Sequence, residues 1–96
     1  MRWIAIFTNK VNTQKLREAH LEAHLEYFSA QTKITLAGST TPHGSTASNG
    51  GVWVIRDASY EEALKICEDD PFFIAGLRHR IDLLEYKVAP KFQDAV

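Results

Sequence analysis

Two segments of this 96-residue chain are apolar on both of the faces that a β-strand presents. Positions 3 to 7 and positions 52 to 55 are unbroken apolar runs, and successive side chains of a strand point to opposite faces. One layer of helices covers only one face of a sheet, so the second apolar face needs another cover. The simplest cover is the sheet of an identical chain. The sequence therefore predicts a homodimer that packs through its sheet face.

The order of the predicted elements indicates the fold class. Enrichment in β-branched and aromatic residues predicts four strands, at Arg2–Thr8, Lys33–Gly38, Val52–Arg56 and Ile81–Ala89. The first helix begins at Asn12 or Thr13 and runs to about Gln31. A capping box at Ser59–Glu62 begins a second helix, and Asp70–Pro71 begins a short third one. This order is typical of an α+β, ferredoxin-like βαββαβ sandwich, in which the first and third strands lie at the centre of an antiparallel sheet.

Length and composition exclude several classes of partner. Ninety-six residues form one domain, residues 1–96, and the formal net charge of −1 creates no large field that would attract nucleic acid or an anionic membrane. The apolar run at the start is too short for a signal peptide or a membrane span. Cys67 is the only cysteine and has no intrachain partner. We therefore expect a cytoplasmic protein with no nucleic-acid or membrane partner.

The first predicted helix carries a polar stripe on its inner side. Its outer arc is marked by three glutamates, Glu18, Glu22 and Glu26. Arg17, His20 and His24 fall between the apolar positions on the opposite side. Inward polar side chains cost free energy unless they are paired or lie in a wet pocket, and a histidine in such a pocket suits proton transfer. We expect His24 to act as a general acid or base, while Arg17 and His20 bind the substrate. The alternative is that the histidines are ordinary core residues bonded to backbone carbonyls.

Asp70 is the predicted partner of His24. An Asp-Pro pair at the start of a helix is explained by capping alone. A capped carboxylate is also held rigidly, and it suits the task of orienting a histidine and stabilising its protonated form. Because the two roles are compatible, the sequence predicts a pair between His24 and Asp70.

The two histidines of the first helix also have the i, i+4 spacing of a metal-chelating pair. The local sequence is superficially similar to a zinc-protease helix, but that motif requires glutamate directly after the first histidine, where this chain has Leu21. Further ligands are confined to Asp70 and His43, which are too few for a defined site. We therefore predict no metal.

The segment Ser39–Gly51 is rich in serine, threonine and glycine, and it exceeds the usual hairpin connection of about 2 to 5 residues. We expect a loop that is a lid, a binding segment or disordered. Its glycines offer backbone N–H groups to an anion, although the spacing of a phosphate loop is missing. Ser39 lacks the surroundings of a nucleophile elbow, which argues against a catalytic triad.

Five short motifs occur along the chain: His24-Leu25-Glu26-Tyr27, Ala37-Gly38, Glu61-Glu62-Ala63, Asp70-Pro71-Phe72 and Ala75-Gly76-Leu77. In this order and spacing, they resemble the YciI-like (YCII-related) proteins, small members of the dimeric α/β-barrel group. The resemblance implies that the sheets of two subunits pack into a barrel, that His24 and Asp70 line a pocket between helices and sheet, and that the chemistry is lyase-like or isomerase-like. The chain departs from the family pattern at Ser39, where proline is common, and at the short turn 31–33, so the substrate stays open.

The predicted function is proton transfer on a small polar or anionic metabolite, in a lyase-like or isomerase-like reaction such as an elimination. The predicted catalytic residues are His24 and Asp70, and the predicted substrate-binding residues are Arg17, His20, Gly38 and Ser39. No cofactor is expected, because dinucleotide, flavin and haem motifs are missing. The alternative is a non-catalytic module that binds a small ligand or a metal and has a regulatory role.

Overall fold

The strands and helices follow one another in the predicted order. The computed structural model describes all 96 residues and contains β1 (Arg2–Asn9), α1 (Gln14–Ser29), β2 (Ile34–Thr40), β3 (Gly50–Arg56), α2 (Tyr60–Glu68), α3 (Pro71–Ile74) and β4 (Arg78–Tyr86), with a short 3-10 turn at Pro90–Phe92. The strands form one antiparallel sheet in the order β2-β3-β1-β4, so β1 and β3 are central. The predicted α+β, ferredoxin-like βαββαβ fold is therefore confirmed.

The hairpin between β2 and β3 is tighter than the sequence suggested. Ser39 and Thr40 pair with Gly51 and Gly50, so both ends of the predicted loop belong to strands and only residues 41–49 connect them. Gly50 allows this close packing, because a Cβ atom there would clash with a backbone carbonyl group of β1. The prediction of a loop that begins at Ser39 was wrong for this reason.

The ends of two other elements also differ from the prediction. β4 spans residues 78–86 rather than 81–89, because it pairs with β1 from Asn9 back to Arg2 and finds no further partner beyond that point. The first helix ends at Ser29, before Gln31. These shifts matter most at Arg78, which belongs to the sheet although it lies before the predicted start of the strand.

One face of the sheet packs against the helices and carries the core. The eight buried residues of this core are Trp3, Ala5, Phe7, Trp53, Ile55, Ala58, Ala63 and Cys67. The Trp3 indole N–H donates to the Ala58 carbonyl oxygen at 2.8 Å, which satisfies the buried donor. The predicted capping box is formed by Ser59 and Glu62 at the start of α2. Burial raises the pKa of the Cys67 thiol to about 12, so this side chain stays protonated and fills space as an apolar group.

The other face of the sheet is apolar and largely open. Ile6, Leu36 and Leu84 are 39%, 39% and 52% exposed, and they share this face with the half-buried Ile4 and Val52. The two-sided apolar pattern in the sequence thus corresponds to one face against the helices and a second face that no helix of the chain covers. No helix in the structure combines the length and the apolar character needed to cross a membrane.

Candidate active site

Helix α1 directs His24 towards the sheet. His24 is the one buried residue of this helix, at 8% exposure, whereas Glu22, Ala23 and Glu26 around it are exposed. Its imidazole stacks on the Phe72 ring, with the two centroids 3.8 Å apart and the planes inclined by 7°. The inner side of α1 is therefore the one that the glutamate pattern indicates.

Asp70 lies at the N-terminus of α3 and has two hydrogen-bonding tasks. It is fully buried, and its Oδ1 atom accepts the backbone N–H of Phe72 at 3.1 Å, which is the expected N-cap contact. The same oxygen lies 2.7 Å from Nδ1 of His24. Because a carboxylate only accepts, Nδ1 is the donor of this hydrogen bond. The structure thus brings together the two residues that the sequence paired.

The Asp70 carboxylate has a third partner, Arg78, which sequence reasoning missed. Nη2 of Arg78 lies 3.4 Å from Oδ2 of Asp70, and Nη1 donates to Oδ1 of Asn9 at 2.7 Å. The Arg78 side chain is only 4% exposed, and its guanidinium lies over the rings of Phe7 and Phe72, at 4.3 and 5.1 Å from their centroids. Burial lowers the pKa of Arg78, and Asp70 opposes that effect.

A register shift explains why Arg78 reaches the helix side of the sheet. Arg78 and Ile81 are three positions apart, so in a regular strand their side chains would lie on opposite faces. The pairing shifts between Thr8 and Asn9 of β1, and this irregularity turns Arg78 to the face that carries Ile81. A bulge of this kind leaves no clear pattern in the sequence.

A cavity of about 220 Å³ opens beside His24, between α1 and the sheet. Aromatic and aliphatic side chains form part of its lining, among them Phe28, Trp53 and Phe72. Two guanidinium groups, those of Arg17 and Arg78, also line it. The cavity therefore combines flat apolar surfaces with positive charge.

The other predicted site residues divide into two groups. Arg17, Gly38 and Ser39 line the cavity together with His24. His20 is half-buried and does not line it, and His43 is exposed in the 41–49 loop. Helical geometry accounts for the difference, since Arg17 lies about 20° from the direction of His24 around the helix axis, whereas His20 lies about 40° away on the other side.

The second ring nitrogen of His24 remains available to a ligand. Nδ1 of His24 is hydrogen-bonded to Asp70, whereas Nε2 has no hydrogen-bond partner in the chain. Nε2 is not one of the fully buried side-chain atoms that lack a partner, so it is accessible from the cavity. With the proton on Nδ1, Nε2 carries a lone pair that accepts a proton. The arrangement is thus able to perform general base chemistry and, after proton uptake, general acid chemistry.

Tyr27 lies close to this site but has a structural task. Its hydroxyl group donates to the Ile66 carbonyl oxygen at 2.8 Å and so ties α1 to α2. Burial, together with the nearby carboxylates of Asp69 and Asp70, raises the pKa of Tyr27 to about 12. The phenol therefore stays protonated at neutral pH.

The structure contains no group of three or more His, Cys, Asp or Glu side chains that is placed to hold a metal ion.

The fold and the site define a small ferredoxin-like α+β protein with a buried histidine–carboxylate pair beside a cationic cavity. The YCII-related domain profile matches residues 1–87, and the chain belongs to this family. None of the curated proteins matches the sequence.

Solved structures that share the fold include two enzymes. One is the 5-chloro-2-hydroxyhydroquinone dehydrochlorinase TftG from Burkholderia phenoliruptrix AC1100, in complex with 2,5-dihydroxybenzoquinone; it has a TM-score of 0.84 and 23% identity over 95% of this chain and 98% of that one. The other is SnoaB, a cofactor-independent oxygenase from Streptomyces nogalater, with a TM-score of 0.55 and 12% identity over 93% and 94% of the two chains. At these identities, the similarity establishes the common fold.

Proposed function

We propose that this protein is an enzyme in which His24 transfers a proton on a small, planar, anionic substrate, in an elimination of the lyase type. The observation that carries the proposal is the 2.7 Å hydrogen bond between His24 and the fully buried Asp70, at the edge of a cavity lined by Arg17 and Arg78. A buried carboxylate that holds one imidazole nitrogen leaves the other poised to accept a proton, as in histidine-based acid–base catalysis.

Each group has a defined task in the proposed reaction. Nε2 of His24 removes a proton from the substrate, and Asp70 stabilises the imidazolium that forms. The electron pair left on the substrate expels a leaving group as an anion, so the reaction is redox-neutral and requires no electron acceptor. The guanidinium of Arg17 stabilises the negative charge that develops on the substrate.

The cavity lining supports a ring-shaped substrate. The aromatic side chains of Phe28, Trp53 and Phe72 offer flat surfaces on which a ring stacks. Arg17 suits a phenolate or carboxylate oxygen, because a guanidinium group makes two parallel hydrogen bonds to such groups. The structural neighbour TftG carries a name that denotes loss of hydrogen chloride from a chlorinated hydroquinone, and it was solved with a quinone. We therefore propose halogenated hydroquinones as the first substrates to assay.

The test is chloride release from 5-chloro-2-hydroxyhydroquinone by the wild type and by two variants. His24→Gln is expected to lose about 10²- to 10⁴-fold in rate, the usual contribution of a general acid or base. Glu22→Gln, on the exposed side of the same helix, is the matched control and should keep the full rate. Circular dichroism spectra establish that all three proteins are folded. Equal chloride release by His24→Gln and wild type would overturn the proposal, and ligand binding without any turnover would identify a binding module instead.

We also propose that a second copy of the chain covers the open sheet face. Ile6, Leu36 and Leu84 form an exposed apolar surface on that face, and such surfaces in folded proteins are commonly interfaces. A two-fold axis would place the same patch of both copies against each other. The proposed enzyme is therefore a homodimer with one His24–Asp70 pair in each subunit.

A further inference from the structure

A second cavity of about 240 Å³ lies beside the first. Arg17 lines both cavities, whereas His24 lines only the first. The second cavity is lined by residues 9–14, by Arg17 and by Ser48 and Asn49, and Val11 is its single hydrophobic residue. The polarity of this lining contrasts with the aromatic surfaces around His24. The two cavities are thus suited to different chemical groups.

The two cavities are adjacent. Arg17 lines both of them. Arg78, from the first cavity, donates a 2.7 Å hydrogen bond to Asn9, which lines the second. Asn49 of the second cavity directly precedes Gly50 of the first. A ligand held beside His24 therefore has the second cavity as its immediate neighbour.

The second cavity has positive charge without an anionic partner. Lys10 and Arg17 are its only charged residues, and neither forms a salt bridge in the chain. Arg17 also repels Arg78 and thereby adds to the lowering of the Arg78 pKa, after the larger effect of burial. An anion in the second cavity would be attracted by both Lys10 and Arg17.

Two asparagines add uncharged donors. Oδ1 of Asn9 accepts from Arg78, which is a donor only, so the orientation of this amide is defined. Oδ1 of Asn49 accepts from the Thr40 hydroxyl at 2.7 Å. Their side-chain NH₂ groups make no hydrogen bond in the chain and are free to donate to a carboxylate or phosphate.

We propose that this second cavity is a binding subsite for an anionic substituent, a carboxylate or phosphate, on a substrate whose ring lies in the first cavity. The ring part of this inference rests on the proposed function, whereas the anion part rests on Lys10, Arg17, Asn9 and Asn49. The substrate class becomes an aromatic ring with a short acidic arm. Lys10 is then a specificity-determining residue that discriminates charged from neutral arms.

The test compares two ligands that differ only in the charge of the arm, 2,5-dihydroxyphenylacetate and 2,5-dihydroxyphenylacetamide. Their dissociation constants are measured by NMR titration at pH 7 with the wild type, Lys10→Gln and the control Lys15→Gln, which lies outside both cavities. We expect the wild type and the control to prefer the acid by about two- to fivefold, the upper part of the range for an exposed ion pair. Lys10→Gln should lose most of that preference.

The location of the shifted resonances separates this proposal from the proposed function. Both ligands should shift the signals of Trp53 and His24, and only the acid should shift the amides of residues 9–14. If both shift Trp53 and His24 but bind the wild type equally, the subsite is refuted and the ring site stands. If the acid shifts only residues 9–14, the subsite stands and the ring site is refuted. Failure of the acid to bind at all, or an unchanged preference in Lys10→Gln, also refutes the subsite.

Discussion

Replacement of Asp70 by asparagine should destabilise the protein through Arg78. Asparagine is as good an N-cap as aspartate, so the contact with the Phe72 N–H is kept. The change removes the negative charge next to Arg78, whose side chain is only 4% exposed. Removal of one partner from a buried ion pair costs about 3–5 kcal/mol, because the other charge stays buried. Arg78 keeps its hydrogen bond to Asn9, and its distance to Asp70 is a long 3.4 Å. We therefore expect about 3 kcal/mol for Asp70→Asn, at the low end of that range.

A double variant tests the ion pair between Asp70 and Arg78 more sharply. Arg78→Met removes the buried cation and keeps an unbranched side chain between the rings of Phe7 and Phe72. In Asp70→Asn/Arg78→Met, no charge remains uncompensated at this position. The loss of stability in the double variant should therefore be smaller than the sum of the two single losses by at least about 1 kcal/mol, because residues in one ion-pair network couple by about 0.5–3 kcal/mol.

Urea denaturation of the four proteins gives the free energies of unfolding, with all m-values compared to establish that the same transition is measured. If the loss in the double variant equals the sum of the two single losses within about 0.5 kcal/mol, Arg78 and Asp70 are energetically independent. In that case, the explanation of Arg78 as the counter-charge of Asp70 is refuted. Both variants that lack the carboxylate should also lose the proposed chloride release, irrespective of stability.

Three further predictions concern other parts of the molecule. Because burial raises the pKa of Cys67 from 9.0 to about 12, the protonated thiol stabilises the folded state below pH 9, and this stabilisation is lost as the pH rises towards 12. Between pH 7 and pH 10, the free energy of unfolding should therefore fall by about 1.4 kcal/mol more in the wild type than in Cys67→Ala. Ile6→Glu on the open sheet face should give a monomer in analytical ultracentrifugation. The control Ile74→Glu changes a residue of α3 that is 72% exposed, and this variant should stay dimeric. A monomeric wild type would contradict the proposed dimer. Gly50→Ala should lower the free energy of unfolding in urea by about 1–3 kcal/mol, because the new Cβ meets the backbone of β1. A Cβ at Gly38 has no atom within 4 Å, so Gly38→Ala should change the free energy of unfolding little. Equal losses in the two variants would contradict this explanation.

The parts of the site that were predictable from the sequence are those set by local rules. Helical periodicity places His24 inward because the three glutamates define the opposite arc, and the Asp-Pro signal places Asp70 at a helix start. These two residues lie 46 positions apart in the chain, and it was the fold that brought them to hydrogen-bonding distance.

The parts that the sequence did not predict depend on pairing between distant segments. Arg78 turns towards Asp70 only because β1 and β4 shift register near Asn9, and no local pattern encodes that shift. The strand ends at Thr40 and Gly50 depend likewise on which backbone groups face each other across β2 and β3. His20 illustrates a different difficulty, since a difference of a few tens of degrees around the helix axis decides whether a side chain enters the cavity.

Asp70 and Phe72 belong to the same half-turn of chain, and between them they supply the hydrogen-bond acceptor for His24, the ring beneath it and the cap of α3. A substitution in this half-turn would harm both folding and the proposed chemistry of His24. New ligand preferences in relatives should therefore arise on another wall of the cavity, around Gly38 and Ser39, where a changed side chain would meet a ligand without disturbing His24.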